Sequence, residues 1–87
     1  MTKRIRCESM AELEQFLNHS ISGQLDFRAY PIAGNPEDFH YNQHEQVVVR
    51  KKDGRQFDNV EDFLCYAFQC DLEGYAHTEH VDVETIN

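Results

Sequence analysis

Three cysteines and five histidines are the side chains of this 87-residue chain best suited to hold a metal or to attack a substrate. Their spacing gives them little to do together. His40 and His44 share a face only on a helix, and their segment, 33–44, is rich in turn formers. His77 and His80 open what reads as a last strand, where a spacing of three puts the rings on opposite faces. Cys65 and Cys70 fall in a helical pattern, where five residues turn the side chains about 140° apart. That spacing argues against a chelating pair. Cys7 stands alone, and an odd count at irregular spacing is no disulfide framework. These residues read as ordinary surface, hydrogen-bonded or core side chains, with no metal ligand among them.

Catalysis has no better footing. A nucleophile built from Cys65 or Cys70 with a histidine needs a proximity that no motif supplies. Glu61 and Asp62 are neighbours, so on a helix they point about 100° apart and do not form an acid–base pair. The four glycines are isolated, so no phosphate-cradling loop is present. The expectation is a protein that is not an enzyme, with no catalytic residues and no cofactor.

Charge says more. The chain carries 16 acids and 8 bases, a formal net charge of −8. All the bases lie between Lys3 and Arg55, where eight acids balance them. Residues 58–87 hold Asp58, Glu61, Asp62, Asp71, Glu73, Glu79, Asp82 and Glu84 and no Lys or Arg. On the second predicted helix Asp62, Tyr66 and Glu73 fall opposite the apolar stripe, and Glu79, Asp82 and Glu84 follow on the last strand. If helix and strand are neighbours, these six residues make one partner-binding surface. A field of one sign steers a partner of the other and repels nucleic acid. Tyr66 would anchor the contact, because tyrosine offers area at low entropy cost. The plainer reading is a solvated acidic face that only aids solubility. A basic group remains: Lys3, Arg4 and Arg6 on the first strand, with Arg50, Lys51, Lys52 and Arg55 around a hairpin. In the strand order given below these would converge, near Tyr30 and Phe57. The aromatic signature of an RNA-recognition sheet is missing, so direct nucleic-acid binding is not expected.

The elements that position these residues follow from periodicity. Residues 3–7 alternate as a short strand. Ser9 and Glu12 have the spacing of a capping box before a helix carrying Met10, Leu13 and Leu17. Residues 24–31 alternate with Leu25, Phe27 and Ala29 on one side and end at Pro31. Residues 33–44 read as a long loop. A strand over 45–52 follows, then a two-residue turn at Asp53-Gly54 and a short return strand to Phe57. Asp58 or Asn59 caps a second helix, Asp62 completing the box pattern if Asn59 is the cap, with Val60, Phe63, Leu64, Ala67 and Phe68 at helical spacing. That helix should run to a stop at Gly74. Residues 76–86 make the last strand, with Val81 and Val83 inward. The fold class is α+β: a single domain over 1–87, an antiparallel sheet with two helices on one face, in the ferredoxin-like βαββαβ order. No secretory signal and no long apolar stretch is visible, so a cytoplasmic location is expected.

In general type the chain resembles the small acidic inhibitors and mimics that phages and mobile elements encode, anti-CRISPR and DNA-mimic proteins among them. It shares their shortness, a pI near 4.9, an acid-dense last third and the lack of a catalytic motif. The resemblance implies docking on a basic, nucleic-acid-binding protein surface and assigns no residue. Two rival expectations stand beside it. One is a metal- or small-ligand-responsive domain using His40, His44, His77 and His80. The other is a structural homo-oligomer, for instance a homodimer pairing unlike patches.

Overall fold

The computed structural model describes residues 4–20, 22–30 and 35–86. Lys3 and Pro31, expected to belong to the first strand and to stop the second, lie outside them. In chain order the elements are β1 (Ile5–Cys7), α1 (Met10–Leu17), β2 (Gln24–Tyr30), β3 (Glu37–Asn42), β4 (Val47–Arg50), β5 (Gln56–Phe57), α2 (Val60–Ala67) and β6 (Val81–Thr85). Both helix starts follow from their cap residues. The Ser9 hydroxyl accepts from the Glu12 N–H at 3.2 Å, and the Asn59 side chain accepts from the Asp62 N–H at 2.8 Å. Glu12 reaches back to the Glu8 N–H at 2.7 Å, one residue before the usual partner, with the same gain for an orphan donor.

The six strands form one sheet in the order β1-β6-β2-β3-β4-β5, and every neighbouring pair is antiparallel. The sheet is therefore α+β with six strands, and the ferredoxin-like βαββαβ order is not confirmed. The extra strand is β3, which occupies half of the segment 33–44 expected to be a loop. Its signal was a period of two, with Phe39 and Tyr41 alternating with Asp38 and His40. Turn formers on either side hid that alternation.

One sheet face carries both helices. Leu25, Phe27 and Ala29 from β2, Phe39 and Tyr41 from β3, Val48, Phe57, Val81, Val83 and Cys7 are all buried there. Leu13 and Leu17 of α1 and Phe63, Leu64 and Ala67 of α2 close over them. Phe27 stacks on Phe39 at 5.4 Å, and Phe63 meets both edge-on at 5.6 and 5.0 Å. Such pairs add about 0.5–1.5 kcal/mol each beyond the area they bury. Among the described residues the other sheet face carries no helix.

Three local expectations are corrected. The second helix stops at Ala67, well before Gly74, because Gln69 turns left-handed at φ 53° and reverses the chain. Gly74 instead serves a separate turn, where its N–H donates to Asp71 O at 3.0 Å. The β4–β5 connection is longer than two residues: Arg50 N–H donates to Arg55 O at 2.8 Å, which leaves residues 51–54 as the loop. Gly54 takes its positive φ there, at 73°. The last strand begins only at Val81.

Candidate functional site

The residues expected to make one acidic surface are divided by the sheet. Val81 and Val83 point into the core, so Asp82 and Glu84 stand on the opposite face, away from α2. There they meet bases. Asp82 lies 3.6 Å from the Arg6 guanidinium, with one carboxylate oxygen buried and without a hydrogen bond. Glu84 accepts from the Tyr30 hydroxyl and lies 3.7 Å from Arg28. Arg28 also binds Asp38 at 2.7 Å, and Arg4 lies 3.8 Å over the Tyr30 ring. Asp26 holds Lys51 at 2.9 Å and His40 at 2.8 Å, and the other His40 nitrogen is 2.7 Å from Gln24 Oε1. The hydrogen bond from Lys51, then that from His40, keeps the Asp26 carboxyl below its usual range. The Arg28 hydrogen bond does the same for Asp38. Across the described residues of this face, acid and base are interleaved.

Tyr66 is not an outward anchor. It is half-buried on the helix side, with its ring 5.2 Å from Phe57 and 6.4 Å from Phe39. Its hydroxyl accepts from Arg50 Nη1 at 2.8 Å and donates to Glu37 Oε1 at 2.5 Å. Burial, and then the Glu37 contact, raises the Tyr66 phenol. Arg50 is itself clamped at both ends. It grips Asp53 with two nitrogens at 3.0 and 2.7 Å, and Glu37 at 3.2 Å. The Asp53 carboxyl is held far below its ordinary range, chiefly by that Arg50 hydrogen bond. Arg55 lies over the Phe57 and Tyr66 rings at 4.6 and 5.4 Å. This is a structural knot that ties α2 to β3 and β4 and uses most of its hydrogen-bonding capacity internally.

The remaining expected residues are exposed and carry no ion pair among the described residues. Asp62 sits in the first turn of α2, Glu73 in the turn after it, and Glu79 in the segment leading to β6. Glu12 and Glu14 on α1 and Glu61 on α2, which the sequence did not single out as contact residues, share that exposure. Neither helix contains a Lys or Arg. Leu72 is fully exposed and Tyr75 is 68% exposed in the same post-helix segment.

The basic group is also dispersed. β1 and β4 are separated by β6, β2 and β3, so Arg4 and Arg6 do not meet the hairpin bases. Tyr30 and Phe57 lie on opposite sheet faces for the same reason of parity. The four histidines offered as a ligand group do not gather either. His40 is held by Asp26 and Gln24, while His77 lies 3.0 Å from Asp71. Among the described residues no three His, Cys, Asp or Glu side chains come together in a way that would hold a metal ion. No described helix is long and apolar enough to cross a membrane.

No protein-family model matches the chain, and no curated protein and no solved structure is detectably similar to it.

Proposed function

We propose that the protein is a non-catalytic binding module that docks its helix-bearing side on a basic, nucleic-acid-binding surface of a partner protein. The observation that carries this reading is the separation of charge between the two sides of the sheet. On the open face Asp26, Asp38, Asp82 and Glu84 each lie against an Arg, Lys or His. On the two helices and the segment after α2, Glu12, Glu14, Glu61, Asp62, Glu73 and Glu79 are exposed, and those elements carry His77 and His80 but no Lys or Arg. Uncompensated carboxylates set a long-range field that speeds encounter with a basic surface. Exposed Leu72 and Tyr75 add apolar area that such a contact can bury. Carboxylates at this density occupy the electrostatic role of phosphates, which favours a partner that otherwise holds nucleic acid. Small acidic inhibitors of the phage and mobile-element kind are the class such a surface fits. The contact set is then Glu12, Glu14, Glu61, Asp62, Glu73 and Glu79. Asp82 and Glu84, engaged on the far face, stand outside it, and Tyr66 supports the surface from beneath.

The test is retention of a host protein on immobilised wild type and on the double variant Asp62→Lys/Glu73→Lys. The expected result is a partner that wild type retains, that added duplex DNA releases, and that the double variant fails to hold at low salt. A partner held equally by the double variant, or one indifferent to DNA, removes the proposal.

A further inference from the structure

The chain reversal at the end of α2 brings together two side chains that a continuous helix holds apart. With Gln69 left-handed at φ 53°, Cys70 N–H donates to Cys65 O at 2.9 Å and Gln69 N–H to Tyr66 O at 3.2 Å. This closure places the side chain of the third-last helical residue against that of the second residue beyond the cap. Here both are cysteines. The 2.9 Å backbone hydrogen bond makes the two residues neighbours, and Cys70 Sγ lies 3.8 Å from Met10 Sδ. Both are half-buried and both line shallow grooves beside Tyr66, so a small reagent reaches them. Cys7 is different: it is buried at 1% exposure, and burial is the main force that pushes its thiol up to about 11.

From this geometry we propose that Cys65 and Cys70 are a redox modification site that closes to an intramolecular disulfide on exchange with a small-molecule disulfide. The Cys65 thiolate attacks one sulfur of the reagent. The reagent S–S bond breaks, a mixed disulfide forms on Cys65, and the first small thiol leaves with the proton that Cys65 gave up. Cys70 then loses its proton and attacks the Cys65 sulfur. The mixed bond breaks and the second small thiol leaves. The protein has given up two electrons and two protons, and the reagent has become two thiols. Burial first, and then the neighbouring Cys65, keeps the proton on Cys70. Asp71, next in sequence, also opposes a Cys70 thiolate, so exchange quickens as pH rises. Closure would tie the end of α2 to the start of the segment that presents Leu72 and Tyr75.

The experiment is incubation of the folded protein with oxidised glutathione, an acid quench, alkylation under denaturing conditions and intact-mass measurement. Two of the three thiols should become unreactive with no glutathione retained, and dithiothreitol should restore both. Peptide mapping should place the bond between residues 65 and 70. Cys65→Ser and Cys70→Ser should each stop at a lasting glutathione adduct on the cysteine that remains. Three free thiols, a stable adduct on wild type, a bond to Cys7 or a cross-linked dimer would each overturn the proposal. The wild-type measurement decides it even if a variant folds poorly.

Discussion

Tyr66 shows how a residue's type and its position on a helix wheel can mislead about its use. A tyrosine beside acids on the outer part of a helix reads as an interface anchor. In the fold its hydroxyl bridges Arg50 and Glu37, two charged groups whose side chains are themselves only 15% and 17% exposed. Hydrogen bonds to charged groups are worth about 1.5–3 kcal/mol when well sheltered, and half-burial lowers that. Tyr66→Phe should therefore cost about 1–2 kcal/mol, read as a lower urea midpoint at unchanged slope. A change within error would mean that water replaces the hydroxyl at no cost. The sequence held part of the true arrangement. Arg50 and Asp53 are close enough in the chain to pair, but Glu37 comes from a strand that its turn-rich neighbours concealed. Asp82 and Glu84 were placed on the acidic surface, yet the alternation that sends Val81 and Val83 inward already forces them onto the face without helices.

At the scale of the elements, the starts of the helices were legible and their ends were not. A cap residue announces itself by type and by its distance from the first apolar positions, and both Ser9 and Asn59 accept the predicted backbone N–H. Asn59→Ala should cost about 1 kcal/mol, the ordinary worth of such a cap, in chemical denaturation. Asn59→Asp should recover most of it, since a carboxylate also caps and suits the positive end of the helix. If both variants lose equally, the side chain matters through something other than the cap. The helix stop escaped notice because Gln69, not a glycine, takes the left-handed position after Phe68, where residues other than Gly and Asn are uncommon. Assuming a helix that ran on to Gly74 kept Cys65 and Cys70 at opposite angles, whereas the actual reversal joins them. The strand order escaped for a different reason. The insertion of β6 between β1 and β2 is a pairing across more than fifty residues, and periodicity carries only local information.

Over the whole molecule the net charge of −8 is less informative than its division. Carboxylates on the open sheet face are held by bases, whereas the helices carry carboxylates and no Lys or Arg. Removing one negative charge should then have opposite effects on stability on the two sides. Asp38→Asn loses the Arg28 contact at 2.7 Å and should destabilise the fold by a few tenths to about 1 kcal/mol. Because the folded-state pKa of Asp38 is depressed, its contribution is present above the unfolded value, and it is lost as pH falls through the folded value. The gap between wild type and Asp38→Asn should thus be full at pH 7 and close below about pH 4, where the unfolded carboxyl titrates and the folded one follows. Glu14→Gln makes the same charge change in the second half of α1, a helix that contains no Lys or Arg and where a negative charge opposes the helix dipole. It should leave stability equal or raise it by up to about 0.5 kcal/mol, with the gain fading in high salt as screening shortens the repulsion. Thermal melts of the two variants at low and high salt test the division directly. If both variants move the melting temperature the same way, the charge on this molecule is uniform in its effect, and the two sides are not electrically distinct.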